Sequence, residues 1–269
     1  MKYRNFLNRS KIVKKIIACL DCKDGKLVKG VQFTDIKEIA DPVERAAYYI
    51  EEGIDEIIYY DISASNEGRK NQIEIARKIA EICKSKNIPL TVGGGISSLE
   101  DIQEALDAGA TKVSINTAAV KNPQFIKEAS EKFGKDKIVV AIDGKKNEKG
   151  SWDVYIKGGS ENTGIDVVEF AKKLEKLGAG ELCMNSIDGD GAKKGYDLEL
   201  TKQLRDNLTI PIIASGGAGK LEHFKEAFNA GANSALGASV FHFDEIDIHD
   251  LKRYLLFKNI EVDWSSYEL

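Results

Sequence analysis

Histidine, proline and cysteine are scarce in this chain of 269 residues: three, four and four respectively. The cysteines Cys19, Cys22, Cys83 and Cys183 are scattered along it, which suits a reducing compartment and not a disulfide framework. Cys19 and Cys22 form one C-x-x-C, but there is no second such pair, and His223, His242 and His249 are far away in sequence. Zinc is therefore not expected, and neither is any other metal or a cofactor. No apolar run approaches a membrane span, and Met1 to Ser10 is too polar and mixed for a signal peptide, so we expect a cytoplasmic protein. A strong charge of one sign is missing as well. The formal net charge is −4, with acidic and basic residues interspersed, which leaves no footprint for nucleic acid or an anionic membrane. Any phosphate has to be held locally.

What is present is a repeat. The apolar stretch Lys15 to Asp21 ends in a carboxylate and recurs at Ile138 to Asp143; Asp21 and Asp143 stand 122 residues apart. The same spacing pairs Gly95 with Gly217, Gly109 with Gly231, Ala110 with Ala232 and Thr117 with Ser239. One half-unit is used twice. Apolar runs predict strands over 15–21, 55–61, 88–93, 111–115, 137–143, 181–186, 210–215 and 234–236. Helical periodicity and capping residues place helices after them: 42–53, opened by Asp41-Pro42-Val43-Glu44, then 68–86, 98–108, a helix opened by Asn122-Pro123, 165–177, 197–206, 221–230 and 247–256. Asp24-Gly25 predicts a hairpin-like loop carrying Lys29, and residues 152–157 look like part of a matching hairpin insertion after the fifth strand. Eight βα units at this length predict an α/β fold, a single (β/α)8 barrel over 15–269 with a half-barrel repeat, behind an N-terminal extension over 1–14. The runner-up is an open doubly wound sheet, which leaves the repeat unexplained.

In such a barrel Asp21 and Asp143 face each other across the C-terminal mouth, where two carboxylates act as acid and base. Either one could instead cap its own loop, but the repeat-related placement favours chemistry. Gly93-Gly94-Gly95 and Ser215-Gly216-Gly217 let backbone N–H groups approach an anion. Each has a partner one unit later, Asn116-Thr117 and Ala238-Ser239, at the start of a short helix. Two sets at one spacing predict two phosphate sites on opposite sides of one mouth, hence an elongated ligand with a phosphate at each end. Gly191, in Asp188-Gly189-Asp190-Gly191, adds an N–H to the second. At the other end Lys15, Glu56, Lys112 and Glu181 each begin an apolar strand; any one alone reads as an ordinary strand-end charge in solvent, but the inward parity of Lys15, Lys112 and Glu181 and the alternating sign of the four allow a salt-bridged ring closing the barrel floor.

These residues carry a resemblance. Ile-Ile-Ala-Cys-Leu-Asp at 16–21, Thr-Val-Gly-Gly-Gly-Ile at 91–96, Val-Ser-Ile-Asn-Thr-Ala-Ala-Val at 113–120 and Ile-Ile-Ala-Ser-Gly-Gly-Ala-Gly at 212–219 resemble the cyclase subunits of imidazole glycerol phosphate synthase, of histidine biosynthesis. The match runs from Lys15 onward. The resemblance implies a bis-phosphate substrate, the phosphoribulosyl-formimino derivative of aminoimidazole carboxamide ribonucleotide, which ammonia converts to imidazole glycerol phosphate and aminoimidazole carboxamide ribonucleotide. It implies Asp21 and Asp143 as the acid/base pair and Lys29 as a contact from the first loop. Gly95, Asn116 and Thr117 would hold one phosphate, Gly191, Gly217, Ala238 and Ser239 the other, and Asp61 and Asp190 would line the mouth. It also implies a glutaminase subunit at the N-terminal face, with Lys15, Glu56, Lys112 and Glu181 gating an ammonia tunnel.

The sequence departs from that pattern in places. Lys15 stands where the family usually has arginine, Gly189 where it often has a larger residue, and Ala192 where threonine is common; Thr111 and Asp136 differ at the partner-facing end. Two rivals remain at this point: the related isomerase of the same pathway, and a non-catalytic ammonia-delivering barrel for another amidotransferase. Ser186-Ile187-Asp188, Gly195-Tyr196-Asp197 and the gate residues speak against the first, and retention of both aspartates against the second.

Overall fold

Strand-length apolar runs, buried on both faces, make the parallel sheet of the computed structural model, whose described residues are 13–31, 34–62, 64 and 71–267. Among them the strands are β1 (Lys15–Lys23), β2 (Lys26–Val31), β3 (Thr34–Ala40), β4 (Glu56–Asp61), β5 (Leu90–Gly93), β6 (Lys112–Ile115), β7 (Ile138–Lys146), β8 (Trp152–Ile156), β9 (Glu161–Asp166), β10 (Glu181–Ser186), β11 (Ile212–Ser215) and β12 (Ser234–Gly237). Strands β1, β4, β5, β6, β7, β10, β11 and β12 pair in parallel in that order, and β12 returns to β1 with Lys15 beside Ser234. The ring closes. This is an eight-stranded (β/α)8 barrel, and the open-sheet alternative is excluded.

Five of the described helices open on a side chain that accepts from their free N–H groups. Asp41 accepts from the N–H groups of Val43 and Glu44 ahead of Pro42–Glu51, and Ser98 with Asp101 forms a capping box on Leu99–Asp107. Asp166, Asp197 and Asp247 cap Val167–Lys176, Leu198–Asn207 and Ile248–Phe257. The helix expected over 68–86 is Ile73–Ser85; its first expected turn, 68–70, lies outside the described residues, as does most of the N-terminal extension.

Two antiparallel excursions stand on the C-terminal side. Asp24 and Gly25, both at positive φ, turn β1 into β2 as a two-residue hairpin. β7 likewise runs on through Lys146 into β8 and then β9. Residues 152–157, expected as part of a hairpin insertion, do supply its second strand, β8; β9, largely polar and half-exposed, was not anticipated. Trp152, fully buried, anchors it by donating Nε1–H to Asp197 Oδ2 at 2.7 Å.

The main core lies between barrel and helices, and a second apolar cluster fills the barrel itself: Ile17, Cys19, Ile58, Val139, Cys183, Ile213 and Leu236. The last helix is tied to the start of β4. Lys252, on the last helix, pairs with Asp55 at 2.5 Å and donates to the Asp263 carbonyl, while Asp55 accepts from the Ile16 N–H. Both partners are buried, so neither charge is tolerated without the other. Lys252→Met is expected to lower stability by about 3–5 kcal/mol in urea unfolding, with Asp55→Asn/Lys252→Met losing less. A loss under about 1 kcal/mol in the single variant would show the pair to be dispensable.

Candidate active site

Period-two alternation in a closed ring sends every second side chain inward. Along β1 these are Lys15, Ile17, Cys19 and Asp21; along β7, Val139, Ala141 and Asp143; along β10, Glu181, Cys183 and Asn185. Charge therefore sits at both ends and apolar groups between. At the C-terminal mouth a cavity of about 810 Å³ opens, and Asp21, Asp61, Gly95, Asn116, Thr117, Asp143, Asp190, Gly191, Gly217, Ala238 and Ser239 all line it. Lys29 lies on β2; its side chain is outside the described residues.

Asp21 and Asp143 are on β1 and β7, four strands apart either way round the ring. Asp143 is held from both sides: Asn116 Nδ2 donates to Oδ2 and Asn185 Nδ2 to Oδ1, each at 2.9 Å. Asn185 Oδ1 in turn accepts from Ser215 Oγ at 3.2 Å. The network runs through four neighbouring strand ends, β11, β10, β7 and β6. Burial raises the pKa of Asp143; the two amide donors pull it down, and the charges of Asp190 and Asp21 push it up again. A carboxyl whose folded pKa is raised stabilises the fold only at low pH, and that contribution is lost as pH rises through the folded value. An ionised Asp143 is thus a cost to folding at neutral pH. Asp21 Oδ1 accepts from Cys19 Sγ at 3.2 Å. All four cysteines are buried and none forms a disulfide, and burial pushes the Cys183 thiol up to about 12, away from the thiolate.

The glycine loops have the backbone that anion binding needs. Gly94 and Gly95 have φ +87° and +72°, Gly216 and Gly217 +85° and +115°. A Cβ on Gly217 would meet the Gly195 carbonyl oxygen at 1.9 Å, so that glycine is also fixed by packing. Asn116 and Ala238 precede the short helices Thr117–Lys121 and Ser239–His242, whose N-termini carry no side-chain cap. Gly189 is forced as well: a Cβ there would stand 2.7 Å from the Gly216 carbonyl oxygen. Sequence reasoning missed Asn185 as part of the site, and named Ser215 for its loop but not for its hydroxyl, although both are polar residues at inward strand ends, the signal that would have found these roles. It also missed Lys121 and Lys157, the two cations among the described lining residues.

The floor departs from the expected ring. Lys112 Nζ lies 2.5 Å from Glu56 Oε1 and 2.7 Å from Glu181 Oε2, and Thr91 Oγ1 donates to Glu56. Lys15 reaches only to 3.6 Å from Glu56 Oε2 and is 46% exposed against 0% for Glu56. Among the described residues no ion pair joins Lys15 to Glu181, so the four form an open chain and not a ring. Burial alone would lower the Lys112 pKa, but the Glu56 and Glu181 carboxylates outweigh it and hold the ammonium above its ordinary range.

A closed parallel barrel that gathers carboxylates and glycine loops around a cavity at its C-terminal mouth has the architecture of (β/α)8-barrel enzymes. The histidine biosynthesis protein family matches residues 15–247. The chain is 52% identical over 246 residues to imidazole glycerol phosphate synthase subunit HisF of Clostridium botulinum (strain Okra / Type B1), covering 91% of this chain and 96% of the relative. It is 53% identical over 254 residues to subunit HisF of Hydrogenobaculum sp. (strain Y04AAS1), covering 93% and 99%. The chain belongs to the HisF family of histidine biosynthesis proteins. These relatives are named as one subunit of a synthase, which implies a partner subunit. No described helix is long and apolar enough to cross a membrane.

Removing an amide donor from Asp143 leaves burial less opposed. Asn185→Leu is expected to raise the Asp143 pKa further, seen as an upward shift in its carboxyl carbon NMR titration. An unchanged or lowered titration would show that Asn185 does not tune the carboxylate.

Proposed function

We propose that this chain is the cyclase of imidazole glycerol phosphate synthase. It takes the phosphoribulosyl-formimino derivative of aminoimidazole carboxamide ribonucleotide and ammonia to imidazole glycerol phosphate and aminoimidazole carboxamide ribonucleotide. The observation that carries this reading is the gathering of two opposed aspartates and two glycine loops around one cavity of about 810 Å³. Ammonia adds to the substrate ketone and water leaves to give an imine; its nitrogen closes on the formimino carbon, and the C–N bond from that carbon to aminoimidazole carboxamide ribonucleotide breaks, leaving the imidazole. Asp21 and Asp143 move the protons, and the amide clamp on Asp143 favours its ionised form. Gly95, Asn116 and Thr117 hold one phosphate; Gly191, Gly217, Ala238 and Ser239 hold the other. Asp61 and Asp190 line the mouth, and Lys29 closes onto the substrate with its loop. With several carboxylates on the cavity wall, backbone N–H groups are what a doubly charged anion can use.

The half-barrel repeat belongs to the same reading. Asn116 (φ −115°, ψ −92°) and Ala238 (φ −125°, ψ −86°) adopt the same uncommon backbone at the 122-residue spacing, which supports paired phosphate sites. We take the barrel domain as 15–269 and 1–14 as an extension. Its place is the cytoplasm.

A glutaminase subunit docks at the N-terminal face and supplies ammonia through the barrel. In water at neutral pH ammonia is mostly ammonium, which has no lone pair for attack; the apolar barrel interior is a dry route for the neutral form. Lys112, charged and paired with Glu56 and Glu181, blocks the floor, and the loosely held Lys15 is where opening begins.

Asp21→Asn and Asp143→Asn are each expected to lower ammonia-dependent turnover by about 10²- to 10⁴-fold with the circular dichroism unchanged. Full activity in both variants would remove the acid/base assignment. Lys112→Met is expected to impair glutamine-dependent turnover, measured with the glutaminase bound, more than ammonia-dependent turnover. An equal fall in the two would make the floor a structural feature only.

A further inference from the structure

Asn71 lies outside the cavity wall, on the stretch that leads from β4 into the helix Ile73–Ser85. Its Nδ2 donates to the carbonyl oxygens of both Gly93, at 2.7 Å, and Gly94, at 2.9 Å. These acceptors settle the orientation of the amide, since the flipped form would set Oδ1 against two carbonyl oxygens. Oδ1 itself is buried without a hydrogen-bond partner. An amide kept at that cost is kept for its donors.

The next residue ties the same stretch to β4, because the Gln72 N–H donates to Asp61 Oδ2 at 3.1 Å. Asn71 is thus fixed between the end of β4 and the loop after β5. The loop has no room to retreat, since a Cβ on Gly94 would fall 2.1 Å from the Asp61 carbonyl oxygen.

In a trans peptide the C=O of one residue and the N–H of the next point in opposite directions. Pinning the carbonyls of Gly93 and Gly94 on the Asn71 side therefore turns the N–H groups of Gly94 and Gly95 toward the other side. That side is the cavity, which Gly94 and Gly95 line and Asn71 does not. We propose that Asn71 is a positioning residue for the first phosphate loop: by holding the Gly93 and Gly94 carbonyls it aims the Gly94 and Gly95 N–H groups at a phosphate of the substrate. The inference rests on the reading of this loop as a phosphate site.

Two measurements on wild type, Asn71→Thr and Asn71→Leu separate the inference from that reading. In ammonia-dependent kinetics Asn71→Leu raises KM about 10- to 100-fold and changes kcat about threefold at most, because what is lost is binding shared by ground and transition states. Asn71→Thr, with one hydroxyl donor for one carbonyl, falls between. Inorganic phosphate, titrated calorimetrically against the same proteins, loses affinity for one of two sites in Asn71→Leu and partly regains it in Asn71→Thr. Weakened phosphate binding in Asn71→Leu without wild-type turnover upholds the inference and overturns the cyclase reading. KM and phosphate affinity within about twofold of wild type in Asn71→Leu overturn the inference and leave that reading intact. So does a fall in kcat and melting temperature with KM unmoved, which marks a structural role.

Discussion

A charge inside a closed barrel has little water to solvate it and must find its partner among the other inward side chains. Both ends of this molecule follow from that constraint. At the floor Lys112 stands between Glu56 and Glu181, and each carboxylate is placed by being the first residue of its strand. At the mouth Asp143 is satisfied by neutral amides, so its charge is held without being cancelled. Burial raises the Asp143 pKa and the two amides oppose that rise without adding a countercharge.

Between these ends the apolar cluster around Ile17, Ile58, Val139 and Ile213 separates two polar layers that would otherwise interact. It leaves the barrel interior apolar between them. Floor, plug and mouth come from one alternation repeated on eight strands. The helices and the buried Lys252–Asp55 pair fix the ring on which that alternation acts.

Much of this was legible in the sequence because the alternation is strict. Parity along β1 put Lys15 and Asp21 on one side, and parity along β10 did the same for Glu181 and Asn185. The hairpin at Asp24-Gly25 was legible from the conformation that only such a pair adopts readily. What stayed hidden depends on distances between strands. Whether Lys15 closes a ring depends on its height against Glu181 and on how far its side chain leans into solvent, neither of which periodicity contains. β9 is polar on both faces and gave no strand signal. Asn71 sits in a non-periodic stretch, and its role appears only when the ends of β4 and β5 stand side by side. Gly189 looked like a departure until its packing on Gly216 was visible.

The most direct test of the central claim is turnover of the phosphoribulosyl-formimino substrate by the purified chain, with excess ammonium salt at alkaline pH. Consumption of the substrate with release of imidazole glycerol phosphate is the expected result. No turnover by the folded, substrate-bound chain, either alone or with a glutaminase subunit added, would contradict the account.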